Sequence, residues 1–540
     1  MLAVAAVFLV LHGVHLRADF PNYSPWMDWA KYTDEGWYGD AAIRHFNQGH
    51  WFVAGDFNPA VALPVWPLLE GIVFCFTGVT VTAARGLTIF VFALTLVAVY
   101  FLMRRLPAVA AGKRPLAPAL AVLLLAVSPF CFVFERLAIL EPLLILLGLV
   151  AVLVASYLIP AATHSAVEDT LLAAAAPMEK PTPVGRTWFQ PSWPQVVLGL
   201  VLPLMVLTKT TAIFLLPAIL YPVWLAARGW RRFVRVATPI AVIAVVVWGA
   251  YFFGFVRPHY LKDYQYLFSA NQYTNVDQNP LWQVVRDTLV DGMWMDRMVY
   301  PMMLMFFAAA LTMERRLWRN PLFATLTLWI GGYFFFLAWH NNLQPRYYLV
   351  VAVPMMMLVA QAADFVWQRR PVTAALLGPL FAVAIVVSAV QTVQIVRRPE
   401  YSLVNAAAAI KQIVDAEPNH SRLVLSISGS ELSLMNGLPS ICDDFGTIEL
   451  ADRVKKYKPG WFVTWNYVED DKMDALNALY KLERVAQFPV MDDPDRNLLV
   501  VYKLEPRDEP RKGRKLHKRP RLLEMKLEAA RPIGWSPLSY

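Results

Sequence analysis

Charge is the scarcest commodity in this 540-residue sequence. Asp, Glu, Lys and Arg make up 16% of it, against about 25% in an average soluble domain. With 57% hydrophobic residues, the chain has too little polar surface to coat the three or so globular domains that its length would suggest. A water-soluble cytosolic enzyme is excluded. Cysteine is equally sparse. Cys75, Cys131 and Cys442 are few, scattered and odd in number, which excludes a disulfide framework. The sequence also lacks a P-loop, a GxGxxG turn, an HExxH helix and paired Cys-x-x-Cys ligands.

What is present is apolar length. Eleven runs approach the 20 or so residues that span a hydrocarbon layer: 1–16, 85–103, 116–134, 142–159, 194–208, 211–227, 236–256, 299–313, 321–339, 347–366 and 372–396. The fold class expected is therefore mainly α, a polytopic membrane protein of about 11 transmembrane helices. The first run lacks a basic leader and reads as an anchor helix rather than a cleaved signal.

The stretch 64–80 is apolar but carries Pro64, Pro67, Glu70 and two glycines. Counting it as a span would reverse every later loop, so loop charge arbitrates. With 64–80 left out, loops 104–115, 160–193, 228–235, 314–320 and 367–371 share one side and hold fifteen Lys/Arg. The opposing short loops 135–141, 208–210 and 340–346 hold three. This asymmetry makes 64–80 an interfacial or re-entrant helix. It also places the N-terminus in the cytoplasm and the C-terminus outside, as in a bacterial-type inner membrane.

Three regions then face outward: loops 17–84 and 257–298, and everything after about 400. Residues 1–399 form the transmembrane module and 400–505 a small extracytoplasmic α/β domain. Strands are expected at 423–428, 460–466 and 497–504, and amphipathic helices at 447–458 and 472–482. Loop 160–193 is proline-rich and reads as a linker. The tail 506–540 is basic. From Glu505 onward ten Lys/Arg stand against five Asp/Glu, so over half of the net charge of +9 is terminal. A terminal run argues against nucleic acid as a partner; such a tail is solvated, or attracted to the anionic lipid of the bilayer or to an anionic polymer.

Few charges remain outside, and they are specific. TDEGWYGDAAIRHFNQGHWF (33–52) opens with Asp34 and Glu35, with Thr33 as an N-cap. The plain alternative is that these acids simply favour a helix N-terminus. FERLAILEPLL (134–144) puts Glu135, Arg136 and Glu141 in a short outer turn, where ionisable groups are costly and often functional. An Arg136–Glu141 pair capping the turn is the plain alternative there. Lys209 in VLTKTTAIF and Arg346 in QPRYYLVV are lone cations beside helix entrances, suited to clamp a phosphate. Arg85 reads as snorkelling to headgroups. His259 and His340 lie in outer segments and are the weak candidates for a divalent metal ion. The DDPD run at 492–495 reads as a turn.

This inventory suits removal of a group from a phosphorylated lipid: a carboxylate takes a hydroxyl proton and cations stabilise the departing phosphate. The DE pair after the first helix, RLAILEP, LTKTTAIFLLPA and QPRYYLVVAVP together resemble the GT-C membrane glycosyltransferases. They are nearest the protein O-mannosyltransferase and lipid A aminoarabinose transferase branch. The resemblance covers about residues 1–400 and implies a GT-C fold and an inverting hexosyl or pentosyl transfer. The partners it implies are a polyprenyl-phosphate-linked sugar donor and an envelope acceptor. It assigns Asp34 as base, Glu35 as assistant and Glu141 as second acid. It gives phosphate binding to Lys209, Arg346, Arg136 and Tyr347. It assigns no certain cofactor and leaves dependence on a divalent metal ion open. Trp37 stands where the aminoarabinose branch has Arg, and FNPAVALPVW (57–66) lacks that branch's Glu-Lys pair, which argues against lipid A as the acceptor. Two other classes remain open, a lipid-linked-sugar transporter or flippase and a noncatalytic envelope scaffold. A transporter favours mid-membrane charge and paired broken helices.

Overall fold

The computed structural model describes residues 1–106, 116–159, 191–270, 280–292, 320–340, 344–466, 470–493 and 496–507. The expected span 299–313, most of the linker 160–193 and nearly all of the basic tail lie outside the described residues. Among the described residues, six helices are long and apolar enough to cross a membrane. They begin at Val81, Thr210, Trp230, Pro321, Pro345 and Pro371. Shorter apolar helices run Leu2–His12, Val65–Thr77, Ala117–Val127, Leu140–Ser156 and Trp193–Thr208. The chain is a multi-pass membrane protein.

Several boundaries follow from local chemistry. The expected span 116–134 is broken. Ser128 precedes Pro129 and sits extended at ψ 123°, ending one helix at Val127, while its hydroxyl caps the Pro129–Phe134 helix through Cys131 N. The ambiguous stretch forms the helix Val65–Thr77, closed by Gly78 at φ +71°. Its 13 residues reach about 20 Å, short of a hydrocarbon core of about 30 Å. The Pro345–Gln368 segment is the bundle's axis, with 94% of its apolar window buried, whereas the Trp230–His259 window is 11% buried and faces outward.

After residue 400 a helix, Ser402–Asp415, leads into a five-stranded sheet of order β2-β1-β3-β5-β4. The strands are β1 (Val424–Leu425), β2 (Ser440–Ile441), β3 (Trp461–Trp465), β4 (Tyr480–Pro489) and β5 (Leu498–Pro506). β1 is parallel to β2 and β3, and β5 is antiparallel to β3 and β4. The expected strands are found, two of them shortened. The expected helix 472–482 instead ends at Leu479 and gives way to β4, whose exposed face holds a polar run that reads equally well in either period.

The sheet region is bound tightly to the first outer loop. Asp19 accepts from Leu403 N (2.8 Å) and Val404 N (3.2 Å), acting as an N-cap supplied from about 380 residues away. A buried chain of ion pairs joins Asp40 to Arg44 (2.9 Å), Arg44 to Asp56 (2.6 Å) and Asp56 to Arg453 (3.0 Å). The first loop is thus held between the bundle and the sheet.

Candidate active site

The helix Asp34–Gln48 carries the acidic pair on its first turn, where the helix dipole favours negative charge. Thr33 precedes it, but its hydroxyl bonds Asp34 Oδ1 (2.9 Å) rather than a helix amide. Glu141 likewise opens the helix Leu140–Ser156. Lys209 sits at the break between the helix Trp193–Thr208 and a 3₁₀ turn at Thr210–Leu215, a C-terminal position that favours a cation. Arg346 lies in the 3₁₀ turn Pro345–Tyr348 ahead of the next helix.

These four side chains meet. Arg346 Nη2 is 2.6 Å from Asp34 Oδ2, and Arg346 Nε is 3.7 Å from Glu141 Oε1. Lys209 Nζ pairs with the same Glu141 oxygen. Both cations lie over one ring, Tyr347, with Lys209 Nζ at 4.4 Å and Arg346 Cζ at 4.8 Å from its centroid. All are buried. Asp28 completes the group, accepting from Arg346 Nη1 and from Arg346 N (2.9 Å). Nothing in the sequence flagged Asp28. The WMDWAK context gives no more than an acid ahead of a turn, and only the fold brings it to Arg346.

The cations are therefore not lone, as their spacing suggests. Three carboxylates face two cations, leaving one excess negative charge in a buried space. Burial raises the Asp34 carboxyl above its ordinary value near 3.8, the charge of Arg346 opposes this, and Asp28 adds to it. Such a carboxylate is disposed to take up a proton.

Glu35 points elsewhere. Its Oε1 accepts from Arg85 Nε (2.8 Å) and Ala138 N (2.8 Å), and its Oε2 accepts from Arg85 Nη2 (2.5 Å). Arg85 thus forms a bidentate buried pair instead of reaching headgroups. Arg136 is also apart from the Asp34 group. It donates to Val14 O (2.7 Å) and His15 O (2.8 Å) and stacks on Phe132, and it forms no pair with Glu141.

The sheet region reaches the same helix. Glu431, on the helix Gly429–Asn436, accepts from Gly36 N (2.7 Å), Ser430 Oγ donates to Asp40 (2.7 Å), and Trp37 Nε1 donates to Ile427 O (3.0 Å). A Cβ at Gly36 would meet Glu431 N at 2.1 Å, so only glycine permits this approach. Glu431 was invisible in the sequence because it docks across about 395 residues.

His259 and His340 do not meet each other. His259 packs on Phe255 and Tyr260, and His340 on Phe336 and Tyr347. Among the described residues no three His, Cys, Asp or Glu side chains gather to hold a metal ion. Asp493 of the DDPD run bonds the Tyr32 hydroxyl.

No protein-family model matches the chain, and no curated protein matches it by sequence. Solved structures do. ArnT from Cupriavidus metallidurans bound to undecaprenyl phosphate aligns over 93% of this chain and 97% of its own, with TM-score 0.58 and 16% identity. The chain has the fold of a GT-C membrane glycosyltransferase. ArnT in the apo state aligns over the same shares with TM-score 0.59 and 14% identity. The archaeal oligosaccharyltransferase AglB from Archaeoglobus fulgidus, in complex with an inhibitory peptide and a dolichol-phosphate, covers 95% of this chain. That match takes in 75% of AglB, with TM-score 0.50 and 11% identity. The GT-C architecture implied by the sequence motifs is the one found.

Proposed function

We propose that this chain moves a sugar from a polyprenyl-phosphate donor to a hydroxyl of an envelope acceptor, at the outer face of a bacterial-type inner membrane. The observation that carries this reading is the shared grip on Arg346 and Lys209. Asp34 and Glu141 approach one guanidinium, Glu141 also holds the ammonium, and both cations rest on Tyr347. The fold in common with glycosyltransferases supports the same reading.

Asp34 is the general base. Its Oδ2 has an ion-pair neighbour but no aligned hydrogen bond, which leaves it available to an acceptor hydroxyl. As that proton passes to Asp34, the acceptor oxygen bonds to the anomeric carbon on the face opposite the phosphate. The carbon–oxygen bond to phosphate breaks, and its electron pair leaves with the lipid phosphate. Inversion follows from this in-line displacement. Lys209 and Arg346 stabilise the charge that develops on the phosphate, in a buried site where such contacts are stronger than in water. Glu141 holds the two cations in place between turnovers. Glu35, with both oxygens occupied, positions the helix on Arg85 rather than entering the reaction.

The test is reconstitution of the full chain in liposomes containing a labelled polyprenyl-phosphate sugar and a hydroxyl acceptor. The expected result is one free polyprenyl phosphate per sugar transferred. Movement of intact labelled donor between leaflets without cleavage would instead make the chain a flippase.

A further inference from the structure

The DDPD run has no part in the reaction as drawn so far. Asp492 and Asp493 lie in the connection between β4 and β5, where the sheet region meets the first outer loop. The base of that connection is fixed. Val490 N donates to Asn497 O (2.9 Å), Ser402 Oγ donates to Val490 O (2.6 Å), and Val490 and Met491 are buried. Arg496 N donates to Asp493 O (3.0 Å), which keeps these two residues together.

Both side chains grip the segment that runs into Asp34. The Tyr32 hydroxyl donates to Asp493 Oδ2. The Arg496 guanidinium lies over two rings, with Cζ 4.4 Å from the centroid of Trp29 and 5.5 Å from that of Tyr32. These rings flank the 3₁₀ turn Trp29–Lys31, whose N-cap is the buried Asp28. Asp28 Oδ1 accepts from Ala30 N (2.7 Å) and Arg346 Nη1, and its Oδ2 accepts from Arg346 N (2.9 Å). Trp29 N donates to Gln344 Oε1 (3.0 Å). One short turn is thus held at once by the β4–β5 connection and by the segment that carries Arg346. A shift of that turn changes how Arg346 is shared between Asp28 and Asp34.

We infer that the β4–β5 connection is a positioning device for the active site: Asp493 and Arg496 clasp Tyr32 and Trp29 and thereby fix Asp28, and through it Arg346, against Asp34. Neither Asp493 nor Arg496 enters the reaction; both act through the turn that Asp28 caps. Asp34 is also faced by Tyr347, Glu141, Lys209, Glu431 and, on its own helix, Tyr38. The clasp acts on this group through Asp28. The inference rests on the transferase reading for its effect on rate and not for its effect on the turn, which is read without turnover.

The test compares the full chain in nanodiscs with Arg496→Ala and Tyr32→Phe. Tyr32→Phe keeps the ring that packs on Trp465 (5.1 Å between centroids), loses the hydroxyl and leaves every charge in place. Hydrogen exchange reads the turn directly, because Ala30 N and Arg346 N both donate to Asp28. Exchange in segments 27–33 and 344–348 should rise about two- to tenfold in each variant, the worth of a cation–π contact or a hydrogen bond. Exchange in β3 should not change. Arg496→Lys keeps a cation over Trp29 and should restore part of the protection. Single-turnover transfer reads the consequence. In Tyr32→Phe the acid limb of the pH–rate profile should move to lower pH, in the direction expected of Asp28→Asn. The double variant should move no further than Asp28→Asn alone. Wild-type exchange in both Arg496→Ala and Tyr32→Phe would overturn the clasp. An unmoved acid limb in Tyr32→Phe, or shifts that add in the double variant, would overturn its action through Asp28. A wild-type chain that transfers no sugar would sink the transferase reading, and the exchange result would still decide whether the clasp holds the turn.

Discussion

Asp34 and Glu35 are consecutive residues, both buried, yet they keep opposite company. Asp34 shares Arg346 with Asp28 and Glu141 in a group that carries excess negative charge and leaves one oxygen without an aligned donor. Glu35 is saturated by the Arg85 guanidinium and Ala138 N. In the proposed reaction the first takes up a proton and the second holds a helix still. Successive residues on a helix point about 100° apart, so a sequence motif that reads as one acidic pair divides into two roles in space.

Six substitutions sharpen that contrast, from the largest expected effect to the smallest. Asp34→Asn should lower kcat by about 10²- to 10⁴-fold, the usual worth of general base catalysis, with donor binding intact by lipid titration. Arg85→Ala leaves Glu35 buried and uncompensated, so thermal or denaturant unfolding should report a loss of about 3–5 kcal/mol. Lys209→Ala should weaken binding of the donor lipid about tenfold or more, the worth of a charge-assisted contact to phosphate. Glu431→Ala removes the acceptor of Gly36 N–H and should cost about 1–3 kcal/mol. Glu431→Gln retains an acceptor and should restore most of that loss.

Glu431 also has a pH signature. Burial and the charge of Glu35 hold its carboxyl well above the ordinary value near 4.5. A raised folded-state value means its contribution is fully present below about 4.5 and is lost as pH rises through the raised value. Glu431→Gln should therefore match the wild type most closely in acid and gain on it at higher pH, as read by Tm. The smallest effect is expected of Asp28→Asn. Removing a neighbouring negative charge and freeing Arg346 for Asp34 both lower the Asp34 carboxyl's value. The acid limb of the pH–rate profile should shift to lower pH.

Much of this was legible before any coordinates. Apolar length predicted a helical bundle, and the charge of the loops predicted that 64–80 is an interfacial or re-entrant helix. Glu141 was flagged by being costly in a short outer turn, Lys209 and Arg346 as lone cations beside helix entrances, Asp34 as half of an acidic pair, and Tyr347 through the family resemblance. Pairing was not legible. Arg85 looked like a headgroup anchor, and Arg136 looked like a member of the Asp34 group. Partners are fixed by packing between segments separated by tens to hundreds of residues, and local spacing carries no trace of it. Asp28 and Glu431 were missed for the same reason. A single acid in a loop and another in a short helix are common, and only docking makes them exceptional.

The most direct test of the division between Asp34 and Glu35 is a side-by-side single-turnover measurement. Donor is saturating, and rates are normalised to folded protein. The account predicts that Asp34→Asn loses about 10²- to 10⁴-fold, while Glu35→Gln, though less stable, transfers sugar within about tenfold of wild type. A Glu35→Gln protein that is folded and as slow as Asp34→Asn, or an Asp34→Asn protein at wild-type rate, would contradict it.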